Sequence, residues 1–185
     1  MSWQIDPASG LLNGVRQVTS PNCDERPAGT EISLLVIHGI SLPPNKFGGN
    51  EIDQLFTNQL DPEAHPYFRE IYQSRVSSHL LIRRNGEVVQ YVPFSKRAWH
   101  AGESCHHGRT CCNDFSIGIE LEGTDETPYE PVQYDTLQQL IKLIRECYPA
   151  IGEQDIVGHC HIAPGRKTDP GPVFEWARLG IEPQA

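Results

Sequence analysis

The stretch Ile32-Ser33-Leu34-Leu35-Val36-Ile37-His38 is a short, almost entirely apolar run that ends in a histidine. A run of this length without alternating polar residues is typical of a strand buried on both faces. The residues that follow, 39–49, are rich in glycine and proline and are predicted to form a loop. We therefore expect a core strand with His38 at the point where it gives way to the loop.

Further strands are predicted on the C-terminal side of this run. Residues 115–121 alternate well enough for a second strand, and residues 156–159 form a brief third one. Asn85-Gly86 lies between the apolar runs 80–82 and 88–89. Because Asn-Gly suits a type I′ turn, in which both central residues have positive φ, we predict a β-hairpin there.

Helices are predicted between these strands. Apolar residues recur at helical spacing in residues 51–60 and 133–148, and each segment is followed by a proline within two residues. A last helix is expected over residues 173–179, ending at Gly180. Intermixed strands and helices predict an α/β fold with a single mixed central β-sheet flanked by helices.

The length of the chain predicts its domain organisation. A chain of 185 residues fits one domain, so we predict a single domain over residues 1–185. Residues 1–30 are polar and rich in turn-forming residues, and we expect a loose N-terminal arm on the surface.

The composition excludes several classes of function. The chain carries 15 basic and 24 acidic residues, for a formal net charge of −9. This balance argues against nucleic-acid binding, which relies on a basic face, and against adhesion to anionic membranes. No apolar run approaches the ~20 residues that span a bilayer, and residues 1–6 lack the features of a signal peptide. We therefore expect a cytoplasmic protein whose six cysteines are reduced thiols.

Polar groups stand at the ends of three predicted strands: His38, Glu120 and His159. Lys167 and Asp169 follow in a loop rich in proline and glycine. Two imidazoles and a carboxylate are a common ligand set for a catalytic zinc ion, which activates water at neutral pH. A second carboxylate and a lysine would serve proton transfer and oxyanion stabilisation. Taken one at a time, these residues have other interpretations. Each histidine would be a hydrogen-bonded core residue, and Lys167 and Asp169 would form an ordinary ion pair in the loop.

An ordered set of motifs resembles a known family, the cytoplasmic N-acetylmuramyl-L-alanine amidases of bacterial cell-wall recycling (AmpD type). These enzymes belong to a zinc amidase superfamily that includes phage T7-type lysozymes and peptidoglycan recognition proteins. The matching stretches are 36–38, 42–44, 47–49, 78–79, 81–84, 90–93, 97–102, 112–123, 158–159 and 162–172.

This resemblance implies a peptidoglycan recognition protein-like zinc amidase fold and one Zn²⁺ per chain, bound by His38, His159 and Asp169. It also implies that Glu120 handles the proton of water and that Lys167 stabilises the oxyanion. The implied reaction is hydrolysis of the amide between the lactyl group of N-acetylmuramic acid and L-alanine. The implied substrate is a small 1,6-anhydromuropeptide, processed by a monomeric enzyme.

Three further residues are candidates for substrate contact. Arg75 is predicted to bind a peptide carboxylate, because a guanidinium binds it bidentately, although a solvated surface arginine is as good a reading. Trp99 and His100 lie in a motif of the superfamily and are predicted to form one wall of the substrate groove. A half-buried packing residue is the alternative for Trp99. Gly39 and Cys111 depart from the family pattern, which carries asparagine and arginine at these two positions. We expect these differences to affect substrate affinity.

Two ambiguities remain at the level of sequence. His159 and His161 are two residues apart, so on a strand both would face the metal, and only the resemblance selects His159. His106 and His107 lie near three cysteines but lack the ligand spacing of a structural zinc module, so a polar loop is the plainer expectation. The rival functions are an amidase acting on intact peptidoglycan and a non-catalytic muropeptide-binding module.

Overall fold

The computed structural model of the protein describes residues 3–181, so both ends of the predicted 1–185 domain and the first two residues of the predicted arm lie outside the described residues. The α-helices are α1 (Glu51–Phe56), α2 (Phe68–Ile71), α3 (Pro131–Cys147) and α4 (His159–Ile162). The strands are β1 (Gln4–Ile5), β2 (Leu12–Asn13), β3 (Arg16–Gln17), β4 (Cys23–Glu25), β5 (Leu34–Ile40), β6 (Leu80–Ile82), β7 (Val88–Gln90), β8 (Lys96–Ala98), β9 (Cys105–His106), β10 (Arg109–Thr110), β11 (Ser116–Glu122) and β12 (Ile156–Gly158).

A six-stranded sheet forms the centre of the fold, in the order β12-β5-β11-β6-β7-β3. Strands β12, β5, β11 and β6 run parallel, whereas β7 is antiparallel to β6. The longest pairing joins β5 and β11 over seven residues and places Glu120 directly beside His38. The predicted mixed α/β architecture with one central sheet is therefore confirmed.

The two faces of β5 and β11 have different partners. Leu35 and Ile37 pack in the main hydrophobic core with Leu140 and other buried residues of α3. Leu34 and Val36 point to the opposite face, where they pack with the loop residue Phe115 and with residues near α4. Since side chains alternate along a strand, His38 continues the face of Leu34 and Val36. The functional side chains consequently lie on the face of the sheet away from α3.

Helix α3 follows its prediction closely because its ends carry strong signals. Pro131 occupies the first turn, and Glu130 and Gln133 form a reciprocal capping box at the N-terminus. The Gln133 amide also donates to the backbone carbonyls of Ile82 and Glu122, so the first turn is fixed to the sheet. The helix ends at Cys147, two residues before the proline that was predicted to stop it.

The other two predicted helices are shorter than their periodicity indicates. Helix α1 ends at Phe56 rather than near residue 60, because Asn58 takes a positive φ that leaves the helical region. The segment 173–179 contains only a 3₁₀ turn, Trp176–Leu179, which ends at Gly180 in the left-handed conformation as predicted.

The hairpin between β6 and β7 is confirmed, but its predicted type I′ turn is wrong. Only Gly86 has a positive φ, whereas a type I′ turn requires it at Asn85 as well. The Gly86 N–H donates to the Arg83 carbonyl, so the turn is centred on Arg84 and Asn85. Gly86 then occupies the left-handed position that follows a type I turn in a longer hairpin loop.

The prediction of a loose N-terminal arm is wrong for the residues that the structure describes. Strand β3 pairs with β7 at the edge of the main sheet, and β4 pairs with β8. Leu12 is buried in the main core, and the partly buried Arg26 guanidinium donates to four backbone carbonyls. These strands are only two or three residues long, which is too short for a hydrophobic pattern to reveal them.

No helix among residues 3–181 is long and apolar enough to cross a membrane. The six cysteines are free thiols.

Candidate metal centre and active site

Three predicted metal ligands converge at the end of β5. His38 Nδ1 lies 3.1 Å from His159 Nδ1 and 3.1 Å from Asp169 Oδ2. The distance from His159 Nδ1 to Asp169 Oδ2 is 3.2 Å. Tetrahedral zinc with bonds of about 2.1 Å holds its ligand atoms ~3.3 Å apart. The three atoms therefore have the spacing that a single zinc ion requires.

In His38 and His159, the inner nitrogen Nδ1 faces the other candidate ligands and the outer nitrogen Nε2 faces away. The contacts of Nε2 show that Nδ1 is available for a metal. His159 Nε2 lies 3.0 Å from the Ala101 carbonyl, which can only accept, so Nε2 carries the proton. His38 Nε2 lies 2.9 Å from His100 Nδ1, and His100 Nε2 lies 3.2 Å from Ser116 Oγ. Each Nδ1 can thus present a lone pair next to the Asp169 carboxylate. Such outer hydrogen bonds are typical of metal-binding histidines, and the donor set fits a zinc ion.

Burial and local hydrogen bonds favour the metal-binding protonation states. Burial lowers the pKa of His38 to about 4, so the imidazole is neutral at physiological pH. Burial would raise the pKa of Asp169, but the adjacent imidazoles of His159 and His38 hold it below its usual value. Neutral imidazoles and an ionised carboxylate are the forms that bind zinc.

Glu120 lies beside this centre with an unusual environment for a carboxyl group. It is buried, and its Oε2 has no hydrogen-bond partner among the residues that the structure describes. Burial first, and then the charge of Asp169, raise the pKa of Glu120 well above its usual value. Because an unpaired buried oxygen is destabilising, the fold itself gives no reason for a carboxyl group here. Glu120 Oε2 is left unpaired beside the candidate metal centre.

A cavity of about 330 Å³ opens over the centre and brings most of the predicted site residues together. Glu120, the exposed Lys167, Trp99 and His100 all line it with the three candidate ligands. The Trp99 ring is half-buried and its Nε1 donates to Asp24 Oδ1 at 3.3 Å, which fixes its orientation. The remaining wall is formed mainly by the loop after β5 and by side chains of α1 and α2.

Arg75 stands apart from this group. It is exposed, its Nη1 donates to Asn58 Oδ1 at 3.3 Å, and it does not line the cavity, although its neighbours Ser74 and Val76 do. Arg75 therefore lies at the rim.

Two supporting contacts were missed by the sequence reasoning. His100 lines the cavity, as predicted, but its ring also packs against the Cα of Gly118 and contacts the outer nitrogen of His38. Tyr129 donates to the Pro170 carbonyl at 2.9 Å, next to the ligand Asp169, and its hydroxyl occupies the space that a Cβ at Gly39 would need. Neither contact has a sequence signal, because both depend on the packing of distant segments.

The ambiguity between His159 and His161 assumed that both residues lie on a strand, but strand β12 ends at Gly158. Both residues lie in α4, where residues two apart point in roughly opposite directions. His161 Nδ1 accepts from the Gly158 N–H at 2.8 Å, and its ring packs near Trp176. The structure thus brings His159, and not His161, to the other two candidate ligands.

Comparisons with known proteins agree with this geometry. Residues 28–172 match the family model described as N-acetylmuramoyl-L-alanine amidase. The chain is 58% identical over 172 residues to the 1,6-anhydro-N-acetylmuramyl-L-alanine amidase AmpD of Escherichia coli (strain K12). The aligned residues cover 93% of each chain. The corresponding protein of Haemophilus influenzae is 57% identical over 173 residues, 94% of each chain.

Solved structures show the same fold. The crystal structure of a selenomethionine AmpD derivative matches with a TM-score of 0.90 and 58% identity, over 93% of this chain and 96% of that chain. The Escherichia coli amidase AmiD, solved with the substrate anhydro-N-acetylmuramic acid-L-Ala-D-γ-Glu-L-Lys, matches with a TM-score of 0.59 and 33% identity. That match covers 84% of this chain and 60% of the AmiD chain.

Proposed function

The chain belongs to the N-acetylmuramoyl-L-alanine amidase family, and we propose that it is a zinc enzyme that hydrolyses anhydromuropeptides in the cytoplasmic recycling of peptidoglycan. The bond cleaved is the amide between the lactyl group of 1,6-anhydro-N-acetylmuramic acid and L-alanine. The observation that carries the proposal is the convergence of three ligand atoms beside a buried, unpaired carboxyl group at the floor of an open cavity.

His38, His159 and Asp169 would hold one zinc ion per chain. When bound there, zinc supplies Lewis-acid chemistry that makes water nucleophilic at neutral pH and polarises a carbonyl group. His100 and the Ala101 carbonyl keep the two imidazoles oriented through their outer nitrogens.

The proton transfers are assigned to Glu120. Its free Oε2 accepts the proton of the attacking water and returns it to the nitrogen of L-alanine as the amide bond breaks. This return is necessary because an amine is a poor leaving group unless it is protonated. Glu120 is held for this task by its place in β11, directly beside His38 in β5.

Stabilisation of the negative charge that develops on the carbonyl oxygen is assigned to Lys167. Its ammonium group is exposed to the cavity and stands two residues before the ligand Asp169 in the loop after α4. A cation at that position stabilises the oxyanion that forms when water attacks the lactyl carbonyl.

The cavity supplies a binding surface for the rest of the substrate. Trp99 provides an aromatic face to the cavity, and the lining also includes the apolar side chains of Leu42, Leu55 and Phe56. Arg75 at the rim is assigned to a carboxylate of the stem peptide as it leaves the cavity. We expect a monomer to be sufficient, since every residue assigned here comes from one chain.

The proposal is tested by offering the purified protein two substrates in parallel: a defined soluble anhydromuropeptide and insoluble sacculi. Mass spectrometry should detect free peptide beginning with L-alanine and free anhydro-N-acetylmuramic acid from the soluble substrate, at a much higher rate than from sacculi. Preferential release from sacculi would favour the amidase of intact peptidoglycan. Binding of the soluble substrate without any product would favour a non-catalytic module.

A further inference from the structure

A second group of metal-ligating side chains lies outside the amidase cavity. It consists of His106 and His107, from the β9–β10 hairpin, and Asp155, from the 3₁₀ turn Glu153–Asp155. One nitrogen from each histidine and one carboxylate oxygen all lie within 4.8 Å of one another. Asp155 is 49 positions from His106 in the chain, so the sequence alone does not associate them.

The two histidine–aspartate distances in this group lie on either side of the spacing expected between the ligand atoms of a zinc ion. His106 Nε2 lies 3.0 Å and His107 Nε2 lies 3.8 Å from the same oxygen, Asp155 Oδ1. Ligand atoms around a tetrahedral zinc ion are ~3.3 Å apart, so the His106 pair is already near that spacing and a small rotation of His107 would bring its pair there as well. The His107 side chain is 59% exposed and is free to make this adjustment.

The other two ligands are already oriented. The Gly152 N–H donates to Asp155 Oδ2 at 3.2 Å, which leaves Oδ1 directed at the histidines. The His106 side chain is only 12% exposed, so its ring is confined by its surroundings. Carboxylates fixed by an outer hydrogen bond in this way are typical of metal sites.

The backbone conformation at His107 determines where its ring lies. His107 has φ of 49° and Gly108 has φ of 77°, so the two residues form the positive-φ corner of a tight hairpin. Asparagine, aspartate and glycine are the residues preferred at the first of these positions. This turn places the His107 ring next to the His106 ring, with their centroids 4.0 Å apart, and brings its Nε2 within 3.8 Å of Asp155 Oδ1.

Nearby cations are engaged elsewhere. The Arg109 guanidinium stacks on the Phe115 ring and donates to Ser33, and Arg145 pairs with Glu153. Neither therefore neutralises Asp155 in place of a metal ion.

We propose that His106, His107 and Asp155 bind a second zinc ion, on the surface and separate from the amidase centre. Two imidazoles and one carboxylate suit zinc, whereas magnesium and calcium prefer oxygen ligands alone. The ion ties the β9–β10 hairpin to the residue that directly precedes β12, and His159 directly follows β12. Its role is to fasten two surface segments near the amidase centre, and this site does not depend on the proposed function.

The test is zinc stoichiometry, measured by elemental analysis after equilibrium dialysis against micromolar free zinc. The wild-type protein should bind two zinc ions per chain, and the His107→Asn variant should bind one. Asparagine is chosen because it favours the positive φ of the turn and removes only the imidazole. The His65→Ala variant, which removes a histidine outside both groups, is the matched control and should still bind two ions.

Two further measurements separate this site from the amidase centre. The second ion should raise the Tm of the wild-type protein and not that of His107→Asn, and amidase activity of His107→Asn should equal that of the wild type. Magnesium should not substitute in either measurement. One zinc ion per wild-type chain under these conditions, or two in His107→Asn, would overturn the proposal.

Discussion

At the scale of single residues, the proposed chemistry depends on Glu120 and Lys167, which we place next to the candidate metal centre and not among its ligands. Glu120 is buried with one oxygen free, and Lys167 is exposed at the cavity. Glu120→Gln and Lys167→Met should therefore retain zinc but each lose turnover by a factor of about 10² or more, the scale of proton-transfer and oxyanion contributions. The measurement is kcat on an anhydromuropeptide together with zinc content.

Glu51→Gln is the matched control for this prediction. Glu51 is the other described residue with a buried carboxylate oxygen that lacks a partner, and it does not line the cavity. Its variant should keep wild-type kcat. Loss of zinc from Glu120→Gln or Lys167→Met would show that the residue is a ligand and contradict its assigned role.

At the scale of secondary-structure elements, α4 determines which histidine faces the candidate metal centre. Because His159 points to the centre and His161 bonds to Gly158, His159→Ala should bind zinc far more weakly and be inactive. His161→Ala should keep the metal and most of the activity, with a stability loss of about 1 kcal/mol from the missing hydrogen bond. Zinc titration and thermal unfolding of both variants check this, and the reverse pattern would place the ligand at His161.

Strand β11 supports the centre through a glycine. A Cβ at Gly118 would lie 2.6 Å from Cγ of His100, so Gly118→Ala must displace the ring that contacts His38. We expect weaker zinc binding and a loss of ~1–3 kcal/mol in the free energy of unfolding, the usual cost of overpacking. In a His100→Ala background the same change should cost much less, which a double-mutant cycle measures. Equal costs in both backgrounds would refute the contact.

The sequence predicted those elements whose signals are local. Strand β5, the hairpin and α3 have strong apolar patterns bounded by turn-forming or helix-ending residues. The positions of His38 and Glu120 could be predicted because each lies on a predicted strand. Helix α4 has only four residues, too few for periodicity to reveal, and the sequence instead predicts a strand that ends at His159. The packing of the His100 ring against Gly118 and the contact between Asp155 and His106 depend on tertiary structure. Neither leaves a pattern in the sequence.

At the scale of the whole molecule, stability depends on a buried neutral histidine between the N-terminal segment and the sheet. The Gly118 N–H donates to His79 Nδ1 at 3.0 Å, so Nε2 carries the proton toward the Lys96 carbonyl. Protonation of Nδ1 would break this arrangement, and burial, followed by the charge of Arg26, lowers the pKa of His79 to about 3.

This lowered pKa predicts a pH dependence of unfolding. Below the unfolded value of about 6.5, the unfolded chain binds a proton that the native protein does not, so stability falls with falling pH. The contribution is ~1.4 kcal/mol per pH unit down to the native pKa. The full slope is reached only toward the acid end of the range between about pH 7 and about pH 5. Over that range, urea unfolding with chelator present throughout should therefore show a loss of stability smaller by ~2 kcal/mol in His79→Asn than in the wild type. Identical slopes would mean that His79 is not buried and neutral.

The central claim is that the His38, His159 and Asp169 centre works through zinc, and metal removal and return test it most directly. The His107→Asn variant is suited to this measurement, because only the amidase centre should then bind the ion. Stripped protein should release no peptide from an anhydromuropeptide, and activity should return in proportion to added zinc up to one ion per chain. Undiminished hydrolysis by protein whose metal content has been verified as nil would contradict the account.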